Sequence, residues 1–234
     1  MSANADTLSP AIQDYLKAIY ALTRTAPATG TLDIARMLQI TPASVSNMLQ
    51  KMDESQPRLV KYQKRHGVSL TTAGERAALR VLRRHRLIEE FLVEKLGYTW
   101  DQVHDEAERL EHAISPFLEQ RIALALGNPS FDPHGDPIPD QDLHLPERRK
   151  LVPLKAVPVA SRAVIRWVND QRAELLAYLG QIGICPGAEI EVLHNNPLDG
   201  VVQIQVAGQS PDQILGERIC EIVMVELLPN GQPN

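Results

Sequence analysis

The chain has 234 residues, 44% of them hydrophobic, and a formal net charge of −5. That length buries enough apolar surface for two domains or three small ones. No apolar run approaches the roughly 20 residues a membrane helix needs, Met1–Pro10 lacks the apolar core of a signal peptide, and two distant cysteines, Cys185 and Cys220, make no disulfide framework. A cytoplasmic chain with no membrane partner is therefore expected. The charge is unevenly spread: residues 1–95 carry 14 Lys and Arg against 9 Asp and Glu, residues 96–150 carry 5 against 11, and residues 151–234 carry 5 against 9. Between Arg58 and Arg86 nine basic residues face one acid, Glu75. Such a block serves either a phosphate-facing surface or an ordinary solvated helix face.

Ser9-Pro10 opens an amphipathic stretch, Ile12, Tyr15, Leu16, Ile19, Tyr20 and Leu22, that predicts a first helix ended by Pro27 and Gly30. Thr31–Leu38 is a short second helix. Thr41 then caps a third, with Pro42 at its first position and an end near Asp53. Two short helices around a tight turn at Gln39-Ile40 are a helix-turn-helix pattern. Leu59–Tyr62 and Gly67–Leu70 read as a hairpin, or wing, whose tip carries Lys64, Arg65 and His66. A long helix follows from about Thr71 to Leu96, with Gly97 as its stop. Trp100 to about Ser115 predicts a further helix, and Phe117–Leu126 another after Pro116. The apolar positions Leu110, Ile114, Phe117, Leu118, Ile122 and Leu126 exceed what two short helices bury alone, so a dimer contact is expected there. Residues 128–150, rich in Pro, Asp and Gly, predict a loop or linker with no packed core. Beyond them the period changes to two. Val164–Val168, Glu189–Leu193, Val201–Val206 and Ile219–Leu227 read as strands, with turns at Pro186-Gly187, Asn195-Asn196-Pro197 and Asp199-Gly200 and a helix over Asp170–Leu179. The expected fold is mainly α with a small β domain. A winged helix-turn-helix at the N-terminus leads into a helical dimerisation domain and then an SH3-like barrel.

Metal-ligand residue types recur on the two central helices. His85 and Glu89 are four apart, and His104, Glu108, Glu111 and His112 fall along one predicted helical stripe. One Glu–His pair of this kind is an ordinary surface pair. Six such residues on neighbouring helices also suit a divalent cation, which needs several anionic or neutral donors converging. A di-metal helix-bundle enzyme needs Glu-x-x-His on two helices, and the chain offers only Glu108-x-x-x-His112. No nucleophile elbow, phosphate loop or zinc-protease motif is present, so no enzyme is expected. A winged-helix regulator sensing an organic ligand, with structural acids and histidines, is the competing reading.

The runs Arg84–Glu89, Val103–His112 and Gly135–Pro139, with Asp14–Tyr20 on the first helix, closely resemble the diphtheria-toxin-repressor family of metal-dependent transcriptional regulators. Gly183–Ile190 looks like the SH3-like (FeoA-like) domain of its three-domain members. The resemblance implies a DNA-binding domain over 1–74, a metal-binding and dimerisation domain over 75–140, a linker at 141–150 and an SH3-like domain over 151–234.

Carried over residue by residue, the resemblance places Asp14, Glu108, Glu111 and His112 at a principal metal site that couples to DNA binding. His85, Glu89 and His104 fall at a second site, to which Asp170 or Glu174 of the SH3-like domain could add a ligand. The iron-type branch has a methionine and a cysteine where this chain has Asp14 and Glu108, so the ligand set resembles the manganese-type branch. Two carboxylates in those places make a harder site, suited to Mn(II), then Fe(II), with Zn(II) or Co(II) able to bind in vitro. Lys17 stands where short two-domain manganese regulators carry a second acid, which implies two separate sites. On the third helix, Thr41, Ala43, Ser44 and Asn47 resemble groove-facing positions beside Ser46, Gln50 and Lys51. Lys51, Lys64 and Arg65 are phosphate contacts or surface cations. The implied function is a metal-dependent repressor of metal-uptake genes. It would bind a palindromic double-stranded DNA operator as a homodimer and use no organic cofactor.

Overall fold

In the computed structural model, which describes residues 8–24, 26–147, 150–196 and 198–229, the chain divides into two units. Pro197 of the expected Asn195-Asn196-Pro197 turn, residues 148–149 of the expected linker, and the ends 1–7 and 230–234 lie outside the described residues. No described helix is long and apolar enough to cross a membrane.

The first unit comprises Met1–His85, Leu110–Ser115 and Pro139–His144. Helix α1 (Pro10–Thr23) starts at extended Ser9, with Pro10 at its first position. Helix α2 (Thr31–Met37) ends in a turn where Gln39 takes φ 54° and Ile40 N–H donates to the Ala35 carbonyl at 3.0 Å. Helix α3 (Pro42–Glu54) is capped by Thr41, whose Oγ1 accepts from the Ser44 amide at 3.3 Å. Leu16, Ile19, Ile34, Val45, Leu49 and Met52 meet in one fully buried core, which is why three short helices hold together. Strands β1 (Val60–Gln63) and β2 (Gly67–Leu70) pair antiparallel, Val60 opposite Leu70 and Gln63 opposite Gly67. Thr29 and Val68 exchange backbone hydrogen bonds of 3.0 and 2.9 Å, which fastens the wing to the loop before α2. Long helix α4 (Thr72–Leu96) then begins, with its first turn pressed onto Leu59: a Cβ on Gly74 would lie 2.0 Å from the Leu59 carbonyl oxygen.

The second unit comprises Arg86–Arg109, Pro116–Ile138 and Leu145–Asn234. Helix α5 runs Val103–Leu110, shorter than the expected Trp100–Ser115. After Leu110 the chain turns, with Ala113 and Ile114 amides both on the Leu110 carbonyl at 2.9 and 3.2 Å. Pro116 disfavours helical backbone at Ser115 and starts α6 (Pro116–Ala125) afresh. Six strands form one antiparallel sheet in the order β3-β8-β4-β5-β6-β7. They are β3 (Val152–Pro153), β4 (Arg162–Val168), β5 (Glu189–Asn196), β6 (Val201–Val206), β7 (Gln213–Leu215) and β8 (Val223–Leu227). Helix α7 spans Ala173–Gln181, later than the expected start because Asp170 forms a turn, accepting from the Arg172 amide at 2.9 Å. Helix α8 (Glu217–Ile222) occupies the first half of the expected Ile219–Leu227 strand, since Gly216 opens a helical turn before β8. Cys220 is buried in this core, and burial pushes its thiol up to about 11.

Two expectations need correction. The segment 128–150 is not coreless: Asp132, His134, Asp136, Ile138 and Leu143 are all buried. Within the first unit Arg83 donates to the Pro139 carbonyl, and within the second Arg86 donates to that of Pro137, both at 2.5 Å. Prolines surrender amide donors, and buried guanidiniums satisfy the carbonyls that remain. The basic block is likewise divided. Arg83, Arg84 and Arg86, midway along α4, are 6%, 2% and 8% exposed and so structural, while Lys61, Lys64 and Arg65 of the wing and Arg76 near the start of α4 lie in solvent.

Replacing Gly74 by Ala should lower the unfolding free energy by about 1–3 kcal/mol, because backbone must yield to admit one methyl. Urea unfolding followed by circular dichroism reads the loss; an unchanged midpoint would show that the α4–Leu59 contact is slack.

Candidate metal centre

Three neighbours on α1 face the turn that follows α5. Asp14 is half-buried, Gln13 is buried, and Lys17 lies one turn further on. The turn contributes Glu111, fully buried, and His112. His112 Nε2 lies 2.9 Å from Asp14 Oδ1, and its Nδ1 lies 2.9 Å from Gln13 Oε1. Gln13 Nε2 donates to the Leu8 carbonyl at 2.9 Å, which fixes its oxygen towards the imidazole. Gln13 Oε1 can only accept, so Nδ1–H donates to it, and the 2.9 Å contact of Nε2 with Asp14 needs a further proton, the place a divalent ion would take. Asp14, Glu111 and His112 each offer a ligand atom within 4.8 Å of the others. Two carboxylates and one imidazole are a sound donor set for a divalent cation, and no thiolate is among them.

Charge is finely set around these groups. Burial raises the Asp14 carboxyl above its usual range, with His112 and Lys17 opposing it. Burial pushes Glu111 the same way, but His85 and Lys17 together outweigh it and hold that carboxyl below its ordinary value. His85 Nδ1 lies 2.6 Å from Glu111 Oε2 and Lys17 Nζ lies 2.7 Å from Oε1.

A second cluster lies wholly within the second unit and includes two residues that sequence reasoning missed. Glu89, Asp132 and His134 are all buried, with ligand atoms within 4.8 Å of one another. His134 Nε2 donates to the Trp100 carbonyl at 2.7 Å, leaving Nδ1 as the lone-pair nitrogen when the ring is neutral. Nδ1 is buried without a hydrogen-bond partner and stands 3.8 Å from Glu89 Oε2. Asp132 Oδ1 accepts from the His134 and Asp136 amides, each at 2.9 Å, while Oδ2 lies 3.6 Å from Arg86 Nε. Burial, with Glu89 and Asp136 beside it, pushes the Asp132 carboxyl up to about 8. Burial opposes charge on His134, yet Glu89 and Asp132 outweigh it and raise the imidazole to about 9. Two buried carboxylates beside a buried imidazole nitrogen that has no hydrogen-bond partner are a donor set that fits a cation, which would take the place of the protons held on Asp132 and His134. The signal was present in Asp132-Pro133-His134-Gly135-Asp136-Pro137, where Pro and Gly pointed only to turns.

The remaining expected ligands are distributed as follows. Glu108 belongs to the second unit, where its Oε1 is 3.8 Å from His104 Nε2; His104 Nδ1 in turn lies 3.2 Å from Glu89 Oε1. His85 belongs to the first unit, on Glu111. Asp170 is clamped by Arg172, Nη2 at 2.6 Å and Nε at 2.9 Å, and Glu174 is exposed on α7. Neither falls in a group of described His, Cys, Asp or Glu residues able to hold an ion.

On the expected DNA face, Thr41, Ala43, Ser44, Asn47, Gln50 and Lys51 are exposed on or beside α3, as are Lys64 and Arg65 at the wing tip. Thr41 and Ser44 are joined through their hydroxyls at 3.0 Å. Half-buried Ser46 bonds back to the Pro42 carbonyl at 3.0 Å, and Gln50 donates to Glu54 at 3.1 Å. Arg65 takes φ 74°, which turns the hairpin tip.

Three family models match the chain. They are the iron dependent repressor N-terminal DNA binding domain over residues 7–68, the iron dependent repressor metal binding and dimerisation domain over 71–140, and the FeoA domain over 152–227. The iron-dependent repressor IdeR of Mycobacterium leprae is 33% identical over 202 residues, covering 81% of this chain and 86% of that protein. The diphtheria toxin repressor of Corynebacterium diphtheriae is 28% identical over 213 residues, or 86% of this chain and 90% of that protein. A solved manganese-dependent transcriptional repressor in complex with manganese is similar at a TM-score of 0.80 and 35% identity, covering 93% of this chain and 100% of that one. On these matches, laid over the metal-ligand geometry and the winged helix-turn-helix, the chain belongs to the iron-dependent repressor family, which includes the diphtheria toxin repressor.

Proposed function

We propose that this protein is a manganese- or iron-dependent repressor of metal-uptake genes, in which Asp14, Glu111 and His112 share one divalent ion and Glu89, Asp132 and His134 hold another. The observation that carries this reading is the seat of the turn after α5. By sequence it belongs to the matched dimerisation domain, yet Leu110–Ser115 packs in the unit of the DNA-binding helices, with His112 on Asp14 at 2.9 Å. When bound, the ion supplies two positive charges that neutralise both carboxylates at once. Asp14 and His112 are drawn together, and with them α1 and the dimerisation segment. DNA-competent spacing of paired recognition helices is then favoured, and by linkage DNA tightens metal binding equally.

The donors are oxygen and imidazole nitrogen, which favours Mn(II), then Fe(II), while Zn(II) and Co(II) bind in vitro by the Irving–Williams order. Phe117, Leu118 and Leu124 are 71%, 45% and 51% exposed on α6, an apolar face that a second copy of the chain would cover. Two recognition helices related by a two-fold axis read a palindromic operator with half-sites about one helical turn, or a multiple, apart. The short polar side chains of α3 offer few bidentate base contacts, so Lys64 and Arg65 act on phosphates and DNA shape carries part of the specificity. The division at 1–74, 75–140 and 151–234 belongs to this proposal too, with Asp170 and Glu174 as surface acids outside both ion sites.

Glu111→Gln should keep the circular dichroism of the parent and lose at least about 100-fold in Mn²⁺-dependent operator affinity; retained metal stimulation would remove the first ion from the mechanism. Operator titrations at controlled free Mn²⁺, Fe²⁺ and Zn²⁺ rank the metals, and operator binding indifferent to chelators would favour an organic-ligand sensor instead. Lys64→Ala should weaken binding to all sequences and flatten the salt slope by about one.

The second cluster gives a pH test. Asp132 and His134 bind protons more tightly folded than unfolded, so their stabilisation is present at low pH and lost as pH rises towards about 8 and about 9. Metal-free protein should unfold at lower urea at pH 9 than at pH 6.5, and Asp132→Asn should flatten the fall; an equally steep fall in the variant would separate these groups from the pH dependence.

A further inference from the structure

The first site already holds a cation of its own. Glu111 is 0% exposed, and the chain occupies both of its oxygens, His85 at Oε2 and Lys17 at Oε1. The two oxygens are not equivalent. Oε1 lies 3.4 Å from His112 Nε2, the same nitrogen that meets Asp14 at 2.9 Å. The Lys17 ammonium therefore sits on the oxygen facing the other two donors.

We propose that Lys17 is a resident cation that sets the metal threshold of this site: it neutralises Glu111 while no ion is bound and opposes the entry of one. The inference rests on the reading of Asp14, Glu111 and His112 as a metal site and adds to it a residue that does not itself ligate. An incoming divalent ion must take Glu111 Oε1 from the ammonium or share that oxygen with it, and in either case two like charges meet in a poorly screened place. Lysine suits the task better than arginine. Its charge is compact, its stem has four rotatable carbons, and it makes no planar fork that would lock the carboxylate bidentately. Lys17 is 16% exposed, so its stem is enclosed enough for the charge to be felt at the donors. Without that charge, buried Glu111 and half-buried Asp14 would face each other across an imidazole with less compensation, which costs stability in the metal-free chain. One residue thus supports the empty site and weakens the loaded one.

The test uses the full-length dimer in a His134→Ala background, so that the first site is read alone, and follows free Mn²⁺ by electron paramagnetic resonance. Lys17→Met should bind Mn²⁺ about tenfold more tightly, reach half-maximal operator occupancy at correspondingly lower free Mn²⁺, and melt at a lower temperature without metal. Lys17→Arg should return the threshold and the metal-free melting temperature towards those of the parent. Lys17→Gln, which keeps a hydrogen-bond donor without the charge, serves if the methionine variant folds poorly and should tighten binding in the same direction. Unchanged or weaker Mn²⁺ affinity in both neutral variants overturns the proposal. Asp14→Asn separates the two levels. If it binds Mn²⁺ as the parent does, the site reading itself fails; if it loses Mn²⁺ while Lys17→Met gains nothing, only the role of Lys17 falls.

Discussion

A carboxylate withdrawn from water must be answered by charge or hydrogen bonds, and Glu111 is the place where this requirement organises the molecule. Its side chain is fully buried, and the answers come from α4 through His85 and from α1 through Lys17. Three stretches far apart in sequence are bound to one another because a single acid has nowhere else to place its charge. His112, next in the chain, meets Asp14 and Gln13 on the same helix, so two consecutive residues anchor the turn to α1. In the proposed reading, a metal at this place would need no long pathway to the DNA-reading helix. Asp14 lies on α1, whose Tyr15, Leu16 and Ile19 share one core with Ile34 of α2 and Val45 and Leu49 of α3.

The two ligand clusters solve the same electrostatic problem differently. The first is partly open, with Asp14 and His112 half-buried, and it is compensated by a flexible lysine. The second is enclosed, its Glu89, Asp132 and His134 at 1%, 6% and 1% exposure. There Arg86 is the permanent cation, spread over Asp132, Asp136 and the Pro137 carbonyl. Arginine keeps its charge in such surroundings and holds three acceptors at once, which makes it a scaffold for the loop. The enclosed cluster therefore depends on protons when no ion is present, and the open one depends on an ammonium.

Much of this was legible in the chain. The helices of the winged unit were readable because their signals are local: Thr41-Pro42 starts α3, and Gly67 with the flanking apolar alternation marks the wing. Asp14, Glu111 and His112 were named from a family resemblance, and the geometry gathers them. The predicted stripe from His104 to His112 was drawn too long. Helical periodicity continues on paper through Glu111, whereas Pro116 and the turn at Leu110 re-aim the last two side chains towards α1. Asp132 and His134 were passed over for the opposite reason. Pro and Gly announce a break in regular structure but say nothing about burial, and what encloses that loop is Arg86, far away in sequence. Local rules find helices and turns; they do not find the long-range partner that turns a loop into a site.

Gly135 ties that loop to the sheet. A side chain there would come within 1.8 Å of the Arg166 carbonyl oxygen, and Val168 N–H reaches back to the His134 carbonyl at 3.4 Å. Strand β4 thus backs the loop that carries Asp132 and His134. A shortened chain ending before the sheet would keep Asp14, Glu111 and His112 whole and leave that loop uncovered. On the proposed two-ion reading, losing the C-terminal domain would spare the residues of one site and strip the backing from the other, leaving a sensor with a single input.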